Sequence, residues 1–225
     1  FRQIKANGYW TGEIINRCKD GSLITTNVNI SAVRDVNQVV KNYLMLFTDI
    51  TAQKRMQDEI QRQALHDGLT GLANRRLFME RLDVMRSQSL RSGRPLCVAF
   101  LDLDGFKPIN DSLGHEEGDK ALQEVAARLR RCTRAGDLAA RLGGDEFGLL
   151  LSQEVGEDGA IALERVRQLI DQPYFLAGRE IQMSASIGYT VFPKDDVKVG
   201  DLVRHADKAM YRAKHDGGDK VCLYS

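Results

Sequence analysis

Cysteine is scarce in this 225-residue chain: Cys18, Cys97, Cys132 and Cys222 lie far apart and form no Cys-x-x-Cys pair. That excludes a disulfide framework or a thiolate metal site and fits free thiols in a reducing, cytoplasmic compartment. Long apolar runs are also missing. The best stretches, residues 96–101 and 43–47, fall short of the roughly eighteen apolar residues a helical span needs, so no membrane segment is expected. Nor is there an excess of one charge: 32 Lys and Arg against 31 Asp and Glu leave a net charge of +1. That balance excludes a nucleic-acid coat or a polybasic membrane binder. The opening residues, Phe1-Arg2-Gln3-Ile4-Lys5, are no signal peptide, and without an initiator Met the sequence reads as a piece of something longer. What is present is 43% hydrophobic and 28% charged, an ordinary globular composition with length for one domain plus extras or two small ones.

Three regions differ in pattern. Residues 1–50 alternate as strands over 11–17, 23–33 and 39–47, and Lys19-Asp20-Gly21-Ser22 reads as a hairpin turn because Asp-Gly readily supplies positive φ. A three-stranded antiparallel meander is the expectation, thin for an independent domain. Residues 51–66 are helical, with Met56, Ile60 and Ala64 four apart. A stripe that narrow suits either a seam between two helices or a solvated linker. From residue 67 helices and strands alternate: helix 75–92, strand 96–103, helix from about 117 to 132, strands 138–142 and 147–151, helix 160–170, strand 181–192, helix 199–214 and strand 220–224. That order predicts an α/β (α+β) sandwich with a mainly antiparallel central sheet flanked by helices.

Within this third region two acidic features stand out. The apolar run 96–101 leads straight into Asp102-Leu103-Asp104, so a carboxylate sits where a strand buried on both faces leaves the core. In Arg141-Leu142-Gly143-Gly144-Asp145-Glu146 two glycines join strands and two acids follow. Gly143 and Gly144 permit a tight turn and let phosphates approach the backbone with no Cβ in the way. If that hairpin pairs beside the Asp102 strand, Asp102 and Asp145 face one another, and a hard cation such as Mg2+ with bound phosphates would relieve their repulsion.

The run RLGGDEF resembles the signature of the GGDEF family, the diguanylate cyclases. HDGLTGLANRR (66–76), FLDLDGFKPINDSLGHEEGD (100–119), SIGYTVFP (186–193) and ADKAMYRAK (206–214) resemble the family's other motifs in order, covering residues 67–225. At the front, GYWTGEIINRCKDGS followed by LMLFTDIT resembles the C-terminal half of a PAS sensor domain. The resemblance divides the chain into a PAS fragment over 1–50, a signalling linker helix over 51–66 and a GGDEF domain over 67–225. It implies a palm-like, nucleotidyl-cyclase-like fold that condenses two GTP into cyclic di-GMP and releases two pyrophosphates.

By the same resemblance, Asp102 and Asp145 hold Mg2+ (or Mn2+) through their side chains and Leu103 through its carbonyl. Asp145 also accepts the attacking hydroxyl's proton, and Glu146 is a second-metal ligand, a fold contact or both. Lys107 stabilises phosphoryl charge, Asn110 and Asp119 read guanine, and His115 lines the nucleotide site. Lys214 reaches the terminal phosphates, with Arg141 adding local positive charge. A carboxylate accepting from guanine N1–H and N2–H2 is a contact adenine cannot offer, worth about 1–3 kcal/mol. Arg134-Ala135-Gly136-Asp137 matches the family's RxxD inhibitory site, where cyclic di-GMP would bind Arg134 and Asp137; a surface ion pair is the simpler alternative. One departure stands out: where the family continues Gly-Arg-Asn after the lysine, this chain has Gly217-Gly218-Asp219. Losing that arginine is expected to weaken GTP binding roughly tenfold to a hundredfold, with Lys220 as a partial substitute. One GTP per domain implies a homodimer, with no nucleic-acid polymer as partner. The competing reading is a GTP-binding regulatory module controlling a neighbouring domain such as a phosphodiesterase.

Overall fold

Side-chain alternation along the first fifty residues resolves into a short helix and three strands. The structure, a computed structural model, describes residues 2–153, 159–195 and 197–225. It divides into two compact units, Phe1–Arg62 and Gln63–Ser225. In the first, α1 (Arg2–Asn7) precedes β1 (Tyr9–Arg17), β2 (Leu23–Arg34) and β3 (Val40–Asp49), paired antiparallel in the order β1-β2-β3. The expected turn forms: Gly21 takes φ 88, and Asp20 accepts from the Ser22 amide at 2.9 Å. Its buried residues include Ile4, Thr26 and Val28, whereas Tyr43 through Phe47 along β3 are all exposed. Asp49 accepts the Thr51 amide at 2.8 Å and so starts α2 (Thr51–Leu65), which buries none of its residues.

The second unit is organised by α3 (Arg75–Ser92) and β4 (Leu96–Asp104), followed by α4 (Phe106–Leu113) and α5 (His115–Cys132). The hairpin β5 (Leu138–Gly143) and β6 (Glu146–Ser152) comes next, then α6 (Gly159–Ile170) and the small hairpin β7 (Tyr174–Leu176) and β8 (Arg179–Ile181). It closes with β9 (Ser184–Phe192), α7 (Val199–His215) and β10 (Val221–Leu223). The sheet order is β10-β9-β4-β6-β5, antiparallel except for the parallel β10–β9 pair, as the patterning predicts.

β4 lies at the centre, and its period of two splits the core. Cys97, Ala99, Leu101 and Leu103 pack with apolar residues of α4, α5 and α6. Leu96, Val98 and Phe100 face α3 and α7. Several elements depart from the sequence expectation, among them α1 and the β7 strand, for which none was expected. Helix α4 was not expected, and α5 begins two residues early: Gly105 and Gly114, at φ 84 and 88, start and stop a helix of eight residues that apolar spacing alone does not reveal. The strand expected from Ile181 starts at Ser184, because Ala177 and Gly178 turn left-handed and fold Ile181 back against Tyr174.

Two packing details set where the site can be. The buried guanidinium of Arg128 donates to the carbonyls of Leu169, Ile170, Gln172 and Pro173 and lies 3.8 Å over the Tyr174 ring, closing the C-terminal end of α6. On the other face α7 rests directly on β9 at Gly188, where a Cβ would fall 1.8 Å from the Met210 backbone nitrogen. A backbone cannot yield locally as a side-chain tip can. Gly188→Ala is therefore expected to lower unfolding free energy by about 3 kcal/mol or more, read as a shifted urea midpoint. A loss under about 1 kcal/mol would refute the close α7–β9 approach.

Candidate active site

The carboxylates emerge where β4 ends. Asp102 pairs in register with Glu146 on β6 and with Ser186 on β9, and the Leu103 amide points to the Asp145 carbonyl at 3.4 Å. Asp102 is buried, its side chain 11% exposed. Burial pushes its pKa above the ordinary carboxylate value, and the nearby charges of Asp145 and Asp104 push the same way. Opposing them, Lys214 of α7 donates to Asp102 Oδ1 at 2.6 Å. That hydrogen bond in turn raises the lysine's own pKa. The structure thus brings Asp102, Asp145 and Lys214 together from β4, the β5–β6 turn and α7.

The turn itself is braced by two arginines. Gly143 and Gly144 take φ 150 and 53, which only glycine adopts readily. Arg141, expected on substrate phosphates, donates to the Gly144 carbonyl at 2.9 Å and to Asp67 at 3.2 Å. Burial alone would raise the Asp67 pKa, but hydrogen bonds from Thr70 and the Arg141 charge outweigh it and hold the carboxyl below its ordinary value. Arg75 adds a second brace, donating to the Leu142 carbonyl at 3.2 Å and meeting Glu146 at 3.4 Å, so Glu146 has a fold contact. Asp67 and Arg75 belong to the HDGLTGLANRR stretch, and sequence reasoning assigned neither a role.

The expected nucleotide-reading residues sit on α4 and α5. Lys107 and His115 are exposed near the starts of these helices, and Asp119 is exposed one turn into α5. Asn110 lies against Gly118, where a Cβ would fall 1.9 Å from its Oδ1, so the glycine before Asp119 makes room for the Asn110 amide. Lys220, expected as a stand-in for the missing arginine, donates to the Asp216 carbonyl within its own turn.

The Asp102 and Asp145 carboxylates offer oxygen donors only. Among the described residues no group of three or more His, Cys, Asp or Glu converges as a metal cage. Mg2+ needs no such cage, since one or two carboxylates plus substrate phosphates suffice, and the ammonium on Asp102 marks this point as one that draws a cation. The donors fit Mg2+ or Mn2+.

A second groove, of about 550 Å3, lies at the other end of the β5–β6 hairpin and is lined by Arg131, Cys132, Arg134, Asp137, Ile161 and Arg165. Asp137 accepts the Arg134 amide at 2.9 Å and the Ser152 amide at 3.0 Å, fixing its carboxylate at the groove wall. Arg165 arrives from α6 and carries no local sequence signal.

Residues 64–220 match the family model described as "Diguanylate cyclase, GGDEF domain". The chain is 40% identical over 204 residues to the bifunctional diguanylate cyclase/cyclic di-GMP phosphodiesterase MucR of Pseudomonas aeruginosa, covering 90% of this chain and 30% of that protein. It is 43% identical over 166 residues to the diguanylate cyclase DgcP of the same organism, covering 72% and 24%. Among solved structures, the coiled coil and GGDEF domain of DgcB from Caulobacter crescentus in complex with c-di-GMP superimposes with a TM-score of 0.70 at 28% identity, covering 77% of this chain and 93% of that one. The chain thus spans less than a third of these two curated relatives.

Because burial raises the Asp102 pKa in the fold, its ionisation works against folding as pH climbs from the ordinary 3.8 through the raised native value. In metal-free buffer Asp102→Asn is expected to match the parent in stability at low pH and to gain on it as pH rises through that window, measured by urea midpoints. A constant difference across the range would contradict the burial argument.

Proposed function

Because the chain belongs to the GGDEF family, we propose that it is a diguanylate cyclase condensing two GTP into cyclic di-GMP with release of two pyrophosphates. The carrying observation is the Asp102–Asp145 pair with Lys214 bonded to Asp102 at 2.6 Å, at the mouth of a glycine turn. Asp102, Asp145 and the Leu103 carbonyl would hold Mg2+ or Mn2+, which when bound neutralises phosphate charge as the 3′-hydroxyl of one GTP attacks the α-phosphorus of the other. Asp145 accepts the hydroxyl proton. Lys214 and Lys107 offset phosphoryl charge, and Gly143 and Gly144 admit the phosphates close to the backbone. Asn110 and Asp119 select guanine beside His115, and Arg141 acts through the turn it braces. One GTP per domain makes the active species a homodimer, with the bond formed across a two-fold axis. Residues 1–50 we read as the back half of a PAS sensor, and α2 as the connector that would set the geometry of the two halves. Arg134, Asp137 and Arg165 offer cyclic di-GMP an inhibitory groove, a reading supported by the family's solved complex with that nucleotide.

A second reading is favoured by Gly218 and by MucR, whose name joins cyclase and phosphodiesterase: a GTP-binding module that regulates another domain. Purified chain incubated with GTP and Mg2+ separates them. Cyclic di-GMP is the expected product, and its absence from a dimeric sample that binds GTP would select the regulatory module. Accumulating product is expected to slow the parent chain, and Arg134→Ala should relieve that inhibition at least tenfold. Inhibition at an unchanged concentration would remove the groove from the reading.

A further inference from the structure

Two quoted sequence features take no part in the proposed chemistry: the second acid of Asp102-Leu103-Asp104, and SIGYTVFP with its leading Ser186. They meet in the fold. Asp104 stands opposite Ser184 on β9, and Asp102 opposite Ser186. Two residues apart on one strand, both acids leave the same face of the sheet, the face that packs on α7.

The Asp104 carboxylate accepts from Ser186 Oγ at 2.9 and 3.0 Å, one approach to each oxygen, and from Ser184 Oγ at 3.2 Å. Its remaining donor is the backbone amide of Asp219, at 2.9 Å, in the turn between α7 and β10. Three successive residues of that turn, Gly217, Gly218 and Asp219, are left-handed at φ 105, 72 and 47. Gly218 sits so close that a Cβ would lie 3.2 Å from Asp104 Oδ2, so its positive φ and this contact both favour glycine. On the far side Arg167 of α6 pairs with the Asp219 carboxylate. The Gly218 amide donates to the Ala213 carbonyl and closes the last turn of α7, the turn that carries Lys214.

We propose that Asp104 is a positioning residue: by seating the 217–219 turn on the end of β4, it holds the last turn of α7 and keeps Lys214 beside the Asp102–Asp145 pair. With three protein donors directed at it, Asp104 faces β9 and the turn rather than a ligand. The inference rests on the diguanylate cyclase reading.

The test compares Asp104→Ala, Asp104→Asn and Ser186→Ala in the full chain, by native-state hydrogen exchange over residues 214–220 and by initial rates against GTP. In Asp104→Ala the Asp219 amide is expected to exchange about tenfold faster or more, and the KM for GTP to rise about tenfold with a smaller change in kcat. Ser186→Ala should move both in the same direction by a smaller factor, and it carries the test if Asp104→Ala does not fold. Asp104→Asn keeps an oxygen for the Asp219 amide and is expected to stay within about threefold of the parent in both. An unchanged Asp219 exchange rate in Asp104→Ala or in Ser186→Ala overturns the proposal. So does an Asp104→Asn variant as impaired as Asp104→Ala, since the charge itself would then be at work. A parent chain that makes no product sinks the cyclase reading instead, and the exchange rates still decide whether Asp104 holds the turn.

Discussion

Burial of β4 on both faces and along both edges constrains everything else in the second unit. Through Leu101 the strand offers only apolar side chains to the two half-cores, and a carboxylate inside that stretch would be stripped of water with no partner. Asp102 is the first position where the strand can carry a charge, and it does so at a cost visible in its raised pKa. That cost is chemically useful. A carboxylate held beside Asp145 and Asp104 in poor solvent gains more from a cation than a surface acid would, and Lys214 fills that need within the chain itself.

The surrounding elements make the position reproducible. Gly188 lets the α7 backbone lie directly on β9, which fixes how far Lys214 reaches. Arg141, anchored to Asp67, and Arg75, which also meets Glu146, hold the Gly143-Gly144 turn through the Gly144 and Leu142 carbonyls. A two-glycine turn is soft because glycine has the widest backbone freedom. Bracing it limits its motion. Rigid support around a few preorganised polar groups is the arrangement that electrostatic catalysis requires, since the groups need not reorganise as charge moves.

Much of this was legible from the residues alone, for reasons that differ by element. The run from Leu96 to Leu101 could only be a doubly covered strand, and Gly143-Gly144 could only be a turn, so the acid pair was predictable from two short stretches. The meander over the first fifty residues followed from period-two alternation. Helix α4 escaped because eight residues between two left-handed glycines are too few for a periodic signal. The braces escaped for a different reason. Asp67 and Arg141 are 74 residues apart, and Asp102 and Lys214 are 112 apart, and nothing local announces such pairs. Arg141 shows the consequence: its local charge suggests a phosphate contact, and its bonds to the Gly144 carbonyl and to distant Asp67 come only from the fold.

The two candidate sites share one hairpin, and its stiffness bears on how they could communicate. The groove at Arg134 and Asp137 and the turn at Gly143-Gly144 lie at opposite ends of β5–β6, roughly 17 Å apart along the strands. β6 is bonded to β4 along seven residue pairs, so bending the hairpin would break the central sheet. Asp137 is already tied to the backbone of Ser152 at the far end of β6, which leaves a ligand there little slack to take up. A ligand in the groove would therefore have no soft route through the hairpin to Asp102. The groove walls of Arg131, Arg134 and Arg165 suit an anionic ligand, whose binding would leave the geometry around Asp102 unchanged.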